Sequence, residues 1–351
     1  MASADDRRWA GTAPAASSVP RRRRGSVRRT ITIDGLRPGG IDGPLLLVGA
    51  GRDLATGVDG NAYLVDAAAT SVVVDGSGGR SVLQVFAEPA VAGLEAMVGE
   101  RAGSGFRRAL AAAAPELERG GSLTHQLLDE TPVVTLVAGS VPLRMGLSGH
   151  GSGATGKRKL PIGVCAGWSE GGALAVAAAE TGRALVSWGP PAPALDDGDD
   201  DLAWHPVEPL PPQSVRRRRL VDVWRGVGPD GRTASAPIRV EVRFRDTYSE
   251  ADASETVVHE YGLVVRVDPD TWTILEAEAV PGPLPAPECP AAAASASRLV
   301  GEPIEDLRSK VRDDFTGTTT CTHLNDTFRA IADIRHLWTA ASMARAERPP
   351  S

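Results

Sequence analysis

The chain repeats itself. Ser26-Val27-Arg28-Arg29 recurs as Ser214-Val215-Arg216-Arg217, and Asp34 falls opposite Asp222 at the same offset of 188. Arg52-Asp53 recurs as Arg245-Asp246 at an offset of 193, where Val73-Val74-Asp75 also lies over Arg266-Val267-Asp268. Val98-Gly99-Glu100 recurs as Val300-Gly301-Glu302 at 202, and Thr124-His125 as Thr322-His323 at 198. The matches keep one order along the chain, and small loop changes explain the drift. The period is far above that of a solenoid and predicts two diverged copies of one module. Two such copies in one chain can pack about a pseudo-twofold axis, as the subunits of a homodimer do.

Local patterns give each copy the same content. In the first, residues 45–50, 62–65, 70–75 and 81–87 are short, β-branched and bounded by Gly or Asp, as strands are. Helical periodicity follows at 91–98, 105–114 and 122–128. In the second, 238–244, 256–267 and 271–280 read as strands, and 290–300, 304–314 and 322–338 as helices. Strands followed by helices, without βαβ alternation, predict an α+β fold. The chain then divides into a disordered tail (1–25), a first module (26–139), an irregular connector (140–212), a second module (213–343) and a disordered tail (344–351).

Composition narrows the function classes. With 3 Tyr and 5 Phe in 351 residues, an aromatic platform for nucleic acid is not expected. No apolar run approaches the roughly 18 residues of a membrane span. Three Cys and no apolar leader fit a reducing, cytoplasmic setting. Arg21–Arg24 could contact nucleic acid, but on a chain of net charge -6 the run reads as a solvated tail. Only three Lys occur, so codon bias already inflates Arg. The expected partner is a small molecule.

Three constellations carry chemistry. Gly151 to Lys157 matches the start of a phosphate-binding loop, but Arg158 stands where Ser or Thr should hold Mg²⁺, and Pro161 disfavours the following helix. Gly167-Trp168-Ser169-Glu170-Gly171 matches the nucleophile elbow of serine hydrolases, without the alternating β and α units that should precede it. The third is confined to the second copy: His259, Cys289, Cys321 and His323. Two thiolates and two imidazoles suit zinc; the same residues could instead serve metal-free catalysis or simply fill the core. His259, Glu260, Glu278, Arg245 and Asp246 are the candidates for proton transfer beside that set. In the first copy Asp66 lies opposite His259 and Leu123 opposite Cys321, so this set is absent there.

The polar residues of the second copy resemble a bacterial domain-of-unknown-function family, 2889. Its pattern has an Arg-Arg start with a following Asp and Trp, an Arg-Asp strand end, a His before an acid, a Cys-Pro pair and a closing Cys-Thr-His-Leu. Here these look like Arg216-Arg217, Asp222, Trp224, Arg245-Asp246, His259-Glu260, Cys289-Pro290 and Cys321-Thr322-His323-Leu324, across about 215–337. The resemblance implies a residue set and no reaction. The function expected is a metal-binding protein or small-molecule enzyme with its site in the second copy. The alternatives are a non-catalytic binding or assembly protein, or a hydrolase at Ser169.

Overall fold

A computed structural model describes residues 14–76, 79–147, 160–181, 186–195, 200–226 and 236–346. The first half supplies strands β1 (Ser26–Leu36), β2 (Leu45–Thr56), β3 (Ala62–Val74) and β4 (Val82–Glu88). Helices α1 (Phe106–Ala113), α2 (Pro115–Arg119), α3 (Leu123–Asp129), α4 (Thr131–Ala138) and α5 (Val141–Arg144) follow. Helix α6 (Ala173–Thr181) lies in the connecting stretch. The second half supplies β5 (Val215–Arg225), β6 (Ile238–Ser249), β7 (Glu255–Val267) and β8 (Ile274–Pro281), then α7 (Leu307–Asp314), α8 (Thr322–Ala330) and α9 (Ile334–Ala346). The class is mixed α+β, as expected. No helix among the described residues is long and apolar enough to cross a membrane.

All eight strands form one antiparallel sheet in the order β4-β3-β2-β1-β5-β6-β7-β8, which reads alike outward from the β1–β5 seam. At the seam Ile31 faces Arg219, its own counterpart at the offset of 188. On either side Arg28 faces Asp222 and Asp34 faces Arg216. Each pair is a two-pronged guanidinium–carboxylate contact: Arg28 to Asp222 at 2.7 and 2.6 Å, Arg216 to Asp34 at 2.6 and 2.7 Å. Register shifts fall at Asp53/Leu54 and at Asp246/Thr247, and again at Val73/Val74 and at Arg266/Val267.

One face of the sheet is covered by the helices, and α4 and α9 each reach across the seam. Leu337 and Ala341 of α9 share a core cluster with Val27 and Ala55 of the first half. Val134, Val137 and Ala138 of α4 share another with Val215, Tyr248 and Val258 of the second. The opposite face of the seam is covered by the connecting stretch. Trp204 Nε1 donates to Thr32 Oγ1 at 3.0 Å, His205 Nδ1 lies 2.8 Å from Thr30 Oγ1, and Arg28 Nη1 donates to Ala203 O at 3.0 Å. Residues 14–25 run over the same outer face, where Ser17 N donates to Glu260 and Arg22 pairs with Asp200 at 2.9 Å.

Several boundaries differ from the sequence pattern. Residues 91–98 hold only a 3₁₀ turn at Leu94–Met97, and Cys289–Leu299 is 3₁₀ rather than α-helical. The expected helix at 322–338 is broken by a 3₁₀ turn at Ile331–Asp333. Gly151 to Lys157 lie outside the described residues. The connecting stretch also extends the free edge of β7. Val257 N donates to Pro190 O and Ala192 N to Glu255 O, each at 2.9 Å, beyond the reach of β8. A Cβ on Gly189 would overlap Val257 O. Gly189→Ala is therefore expected to cost about 1–3 kcal/mol through forced displacement of this edge. A denaturation midpoint equal to wild type would show that 189–192 does not hold it.

Candidate functional site

Asp246 ends the regular part of β6, just before the register shift, with its side chain towards the helices. His259 on β7 is its cross-strand partner. Above them α8 begins. Thr320 and Cys321 are extended, Asn325 N caps back to Cys321 O at 2.8 Å, and Asn325 Nδ2 donates to Phe315 O at 2.8 Å. This pins the first turn, and Leu324 and Phe328 anchor it in the core. His323 then projects onto β7 and stacks on His259, with ring centroids 3.8 Å apart and planes at 21°.

The three side chains converge. His259 Nδ1 is 3.3 Å and His323 Nε2 3.8 Å from Asp246 Oδ2, and one ligand atom from each of the three residues lies within 4.8 Å of the other two. Neither nitrogen makes an aligned hydrogen bond, although both are buried. A buried polar atom left without a partner costs about 1–3 kcal/mol. Burial, with His259 adding, holds the His323 imidazole well below its ordinary range, so the ring is neutral and offers a lone pair.

Asp246 is fixed from behind. Arg217 donates to both its oxygens, Nε to Oδ1 at 2.8 Å and Nη2 to Oδ2 at 2.9 Å. Burial alone would raise the carboxyl; the Arg217 charge outweighs it and holds Asp246 below the carboxylate range. Each carboxylate oxygen has a second lone pair, so Oδ2 can still act as a ligand. Arg217 is in turn held by Glu130 of the first half at 2.7 Å, which also takes Arg219 at 2.6 Å. Arg107, also from the first half, pairs with Asp326 of α8 at 2.8 Å. Residues of the first half thus support the site in the second.

The cysteines stand around this group and outside it. Cys321 Sγ is 3.8 Å from the other ring nitrogen of His323, Nδ1. Burial pushes the Cys321 thiol up to about 11. Cys289 is also raised by burial; its carbonyl accepts from Tyr261 OH at 2.9 Å, and a Cβ on Gly167 would stand 2.6 Å from its sulfur. Arg245 and Glu260 lie on the opposite face of the sheet, paired at 2.6 Å, and Glu278 is exposed on β8. None of these three reaches the histidines. Ser169 follows a 3₁₀ turn at Ala166–Trp168, packed against Gly172, and no histidine among the described residues hydrogen-bonds it. The sheet is antiparallel throughout, so the parallel-sheet setting of a nucleophile elbow is missing.

The corresponding place in the first half has other chemistry. Asp53 faces Asp66 across β2 and β3 at the matching register shift, and Arg29 grips Asp53 at 2.8 and 2.7 Å. Burial, together with Asp53, raises the Asp66 carboxyl. His125 lies instead beside Arg308, at 3.4 Å. Sequence reasoning grouped His259 and His323 with Cys289 and Cys321 and set Asp246 beside them as a proton-transfer candidate; it gave Arg217 only within the family pattern, with no role, and missed Glu130 and Arg107. The signal for the grouping was the strand register, which puts Asp246 directly across from His259.

Residues 215–336 match the family described as a protein of unknown function, DUF2889. This is the stretch the sequence motifs delimit. No curated protein and no solved structure matches the chain.

Proposed function

We propose, taking residues 215–336 as a domain of the DUF2889 family, that Asp246, His259 and His323 hold one divalent transition metal and that this centre acts on a small molecule. The observation that carries the reading is the pair of buried nitrogens without an aligned hydrogen bond, His259 Nδ1 and His323 Nε2, in residues whose ligand atoms gather with Asp246 Oδ2 within 4.8 Å. Ligand bonds of about 2.0–2.2 Å in a tetrahedron put ligand atoms roughly 3.3 Å apart, which the separations of 3.3 and 3.8 Å approach. Two imidazoles and a carboxylate suit zinc or ferrous iron, and three protein ligands leave room for water or substrate. A metal bound there would supply Lewis-acid polarisation and a more acidic water. Arg217 orients the carboxylate, and Cys321 faces Nδ1 of His323, the position from which an outer partner fixes the ring.

The halves are read as diverged copies of one module, the first of which has lost the site. Support comes from the mirrored strand order, the matched register shifts, and the reciprocal Arg–Asp pairs across the seam. A reciprocal contact of this kind is the mark of an isologous interface.

Elemental analysis of chain purified without chelator is expected to give about one metal per chain, and His323→Ala close to none. Cys289→Ala should retain the metal, since its sulfur does not join the converging group; loss there would favour the two-Cys, two-His set instead. If the metal-free wild type takes up neither zinc nor ferrous iron, the centre is not a metal site. Acid–base chemistry between Asp246 and His259, which already touch at 3.3 Å, then becomes the better reading.

A further inference from the structure

On the face of the sheet away from the histidines, a small, half-open cleft lies between the outer side of β5–β6 and residues 17–20. Arg218 lines it. Its side chain is 6% exposed, and of its three nitrogens only Nη2 has a partner, Glu255 at 2.6 Å. Nε and Nη1 are buried with no acceptor. Arg218 also faces Arg245 directly across the strand pair, an arrangement that repels unless something screens it. Burial, with Arg216 and Arg245 adding, brings the Arg218 guanidinium down to about 10, the mark of a cation short of negative charge. Glu260, the carboxylate among the lining residues, is occupied by Arg245 Nε and by Ser17 N. Arg243, also on the lining, is held by Glu241 at 2.7 Å. The apolar part of the wall includes Leu195, Trp204 and Leu220.

We propose that this cleft binds a small organic carboxylate, its anionic end on Arg218 and its apolar body against Trp204, Leu220 and Leu195. A guanidinium recognises either carboxylate or phosphate; the apolar wall favours an acid carrying an apolar or aromatic group over a free inorganic anion. The site is separated from Asp246 and the histidines by the thickness of the sheet, so it stands or falls apart from the metal reading.

The test follows thermal unfolding of the full chain in fixed salt, with benzoate, acetate or inorganic phosphate as the probe. Benzoate at about tenfold over its Kd is expected to raise the midpoint by about 2 °C, and acetate and phosphate by less. Arg218→Met should fold at least as well as wild type, because it removes an under-paired buried cation. Glu255 still accepts from Thr247 Oγ1 at 2.7 Å in its absence. The variant should lose the benzoate response, whereas His323→Ala, on the other face, should keep it. No benzoate shift in wild type, a shift retained by Arg218→Met, or a phosphate shift as large as that of benzoate would each overturn the proposal.

Discussion

Asp222→Ala is expected to lower the free energy of unfolding by about 3–5 kcal/mol, the cost of leaving a buried guanidinium without its carboxylate. Arg28 and Asp222 are each 1% exposed. Arginine cannot shed its proton, so only the carbonyl oxygens of Ala203 and Arg21 would remain to it. Arg28→Ala should cost less. Burial already holds the Asp222 carboxyl above its ordinary range, and the acid can take up a proton once the cation is gone. The mirror-related Asp34→Ala should cost about 1–3 kcal/mol. Asp34 is 15% exposed, and Arg216 keeps Glu208 O at 2.7 Å and Glu255 at 3.6 Å. Urea unfolding followed by circular dichroism ranks the three. Equal costs for Asp222→Ala and Asp34→Ala, or a larger cost for Arg28→Ala than for Asp222→Ala, would refute this account of the seam.

Glu130→Ala is the second large effect, and it acts on both halves. Glu130 is 1% exposed and neutralises two buried guanidiniums, Arg217 and Arg219. Arg219 has Nε and Nη2 unpartnered already, so the loss should approach 3–5 kcal/mol. Arg217 would also be free to shift, and with it the Asp246 carboxylate. Loss of an outer partner typically weakens metal binding 10–100-fold, and that is the expected drop in zinc affinity in a competition titration with a chelating dye. The residue lies outside 215–336 and touches none of the three ligands. An unchanged affinity would mean that the first half plays no part in holding Asp246.

The two strands that organise the sheet were the least legible in the sequence. β1 and β5 are buried on both faces, so neither alternates polar with apolar residues. Both carry arginines where a buried strand ordinarily carries Val or Ile. The pattern that locates a half-exposed strand does not exist there, whereas β3, β4, β7 and β8 show it and were found. The matching Arg-Arg, Asp and Arg-Asp segments were legible as polar residues, and the structure puts them at the seam and at two register shifts. The two histidines were legible as a pair, but the third member was not: Asp246 stands where the cysteines were expected. Cys321-x-His323 suggests two adjacent ligands, but the turn at the start of α8 sends the His to the sheet and leaves the thiol at its back. The roles of Glu130 and Arg107 could not be read at all, because they depend on how the halves dock.

The seam has a consequence for how the chain comes together. Six of the seven strand pairings join neighbours in sequence; the β1–β5 pairing joins distant residues such as Arg28 and Asp222, at a separation of 194. Contacts between distant segments form late, after local hairpins have closed. During synthesis β1 is therefore complete long before β5 exists, and it waits as the bare rim of a four-stranded sheet. Such a rim invites pairing with any passing strand unless it carries charge. Arg28 and Asp34, which later form ion pairs across the seam, keep that rim charged in the interval. The same residues that seal the finished sheet guard the unfinished one against the wrong partner.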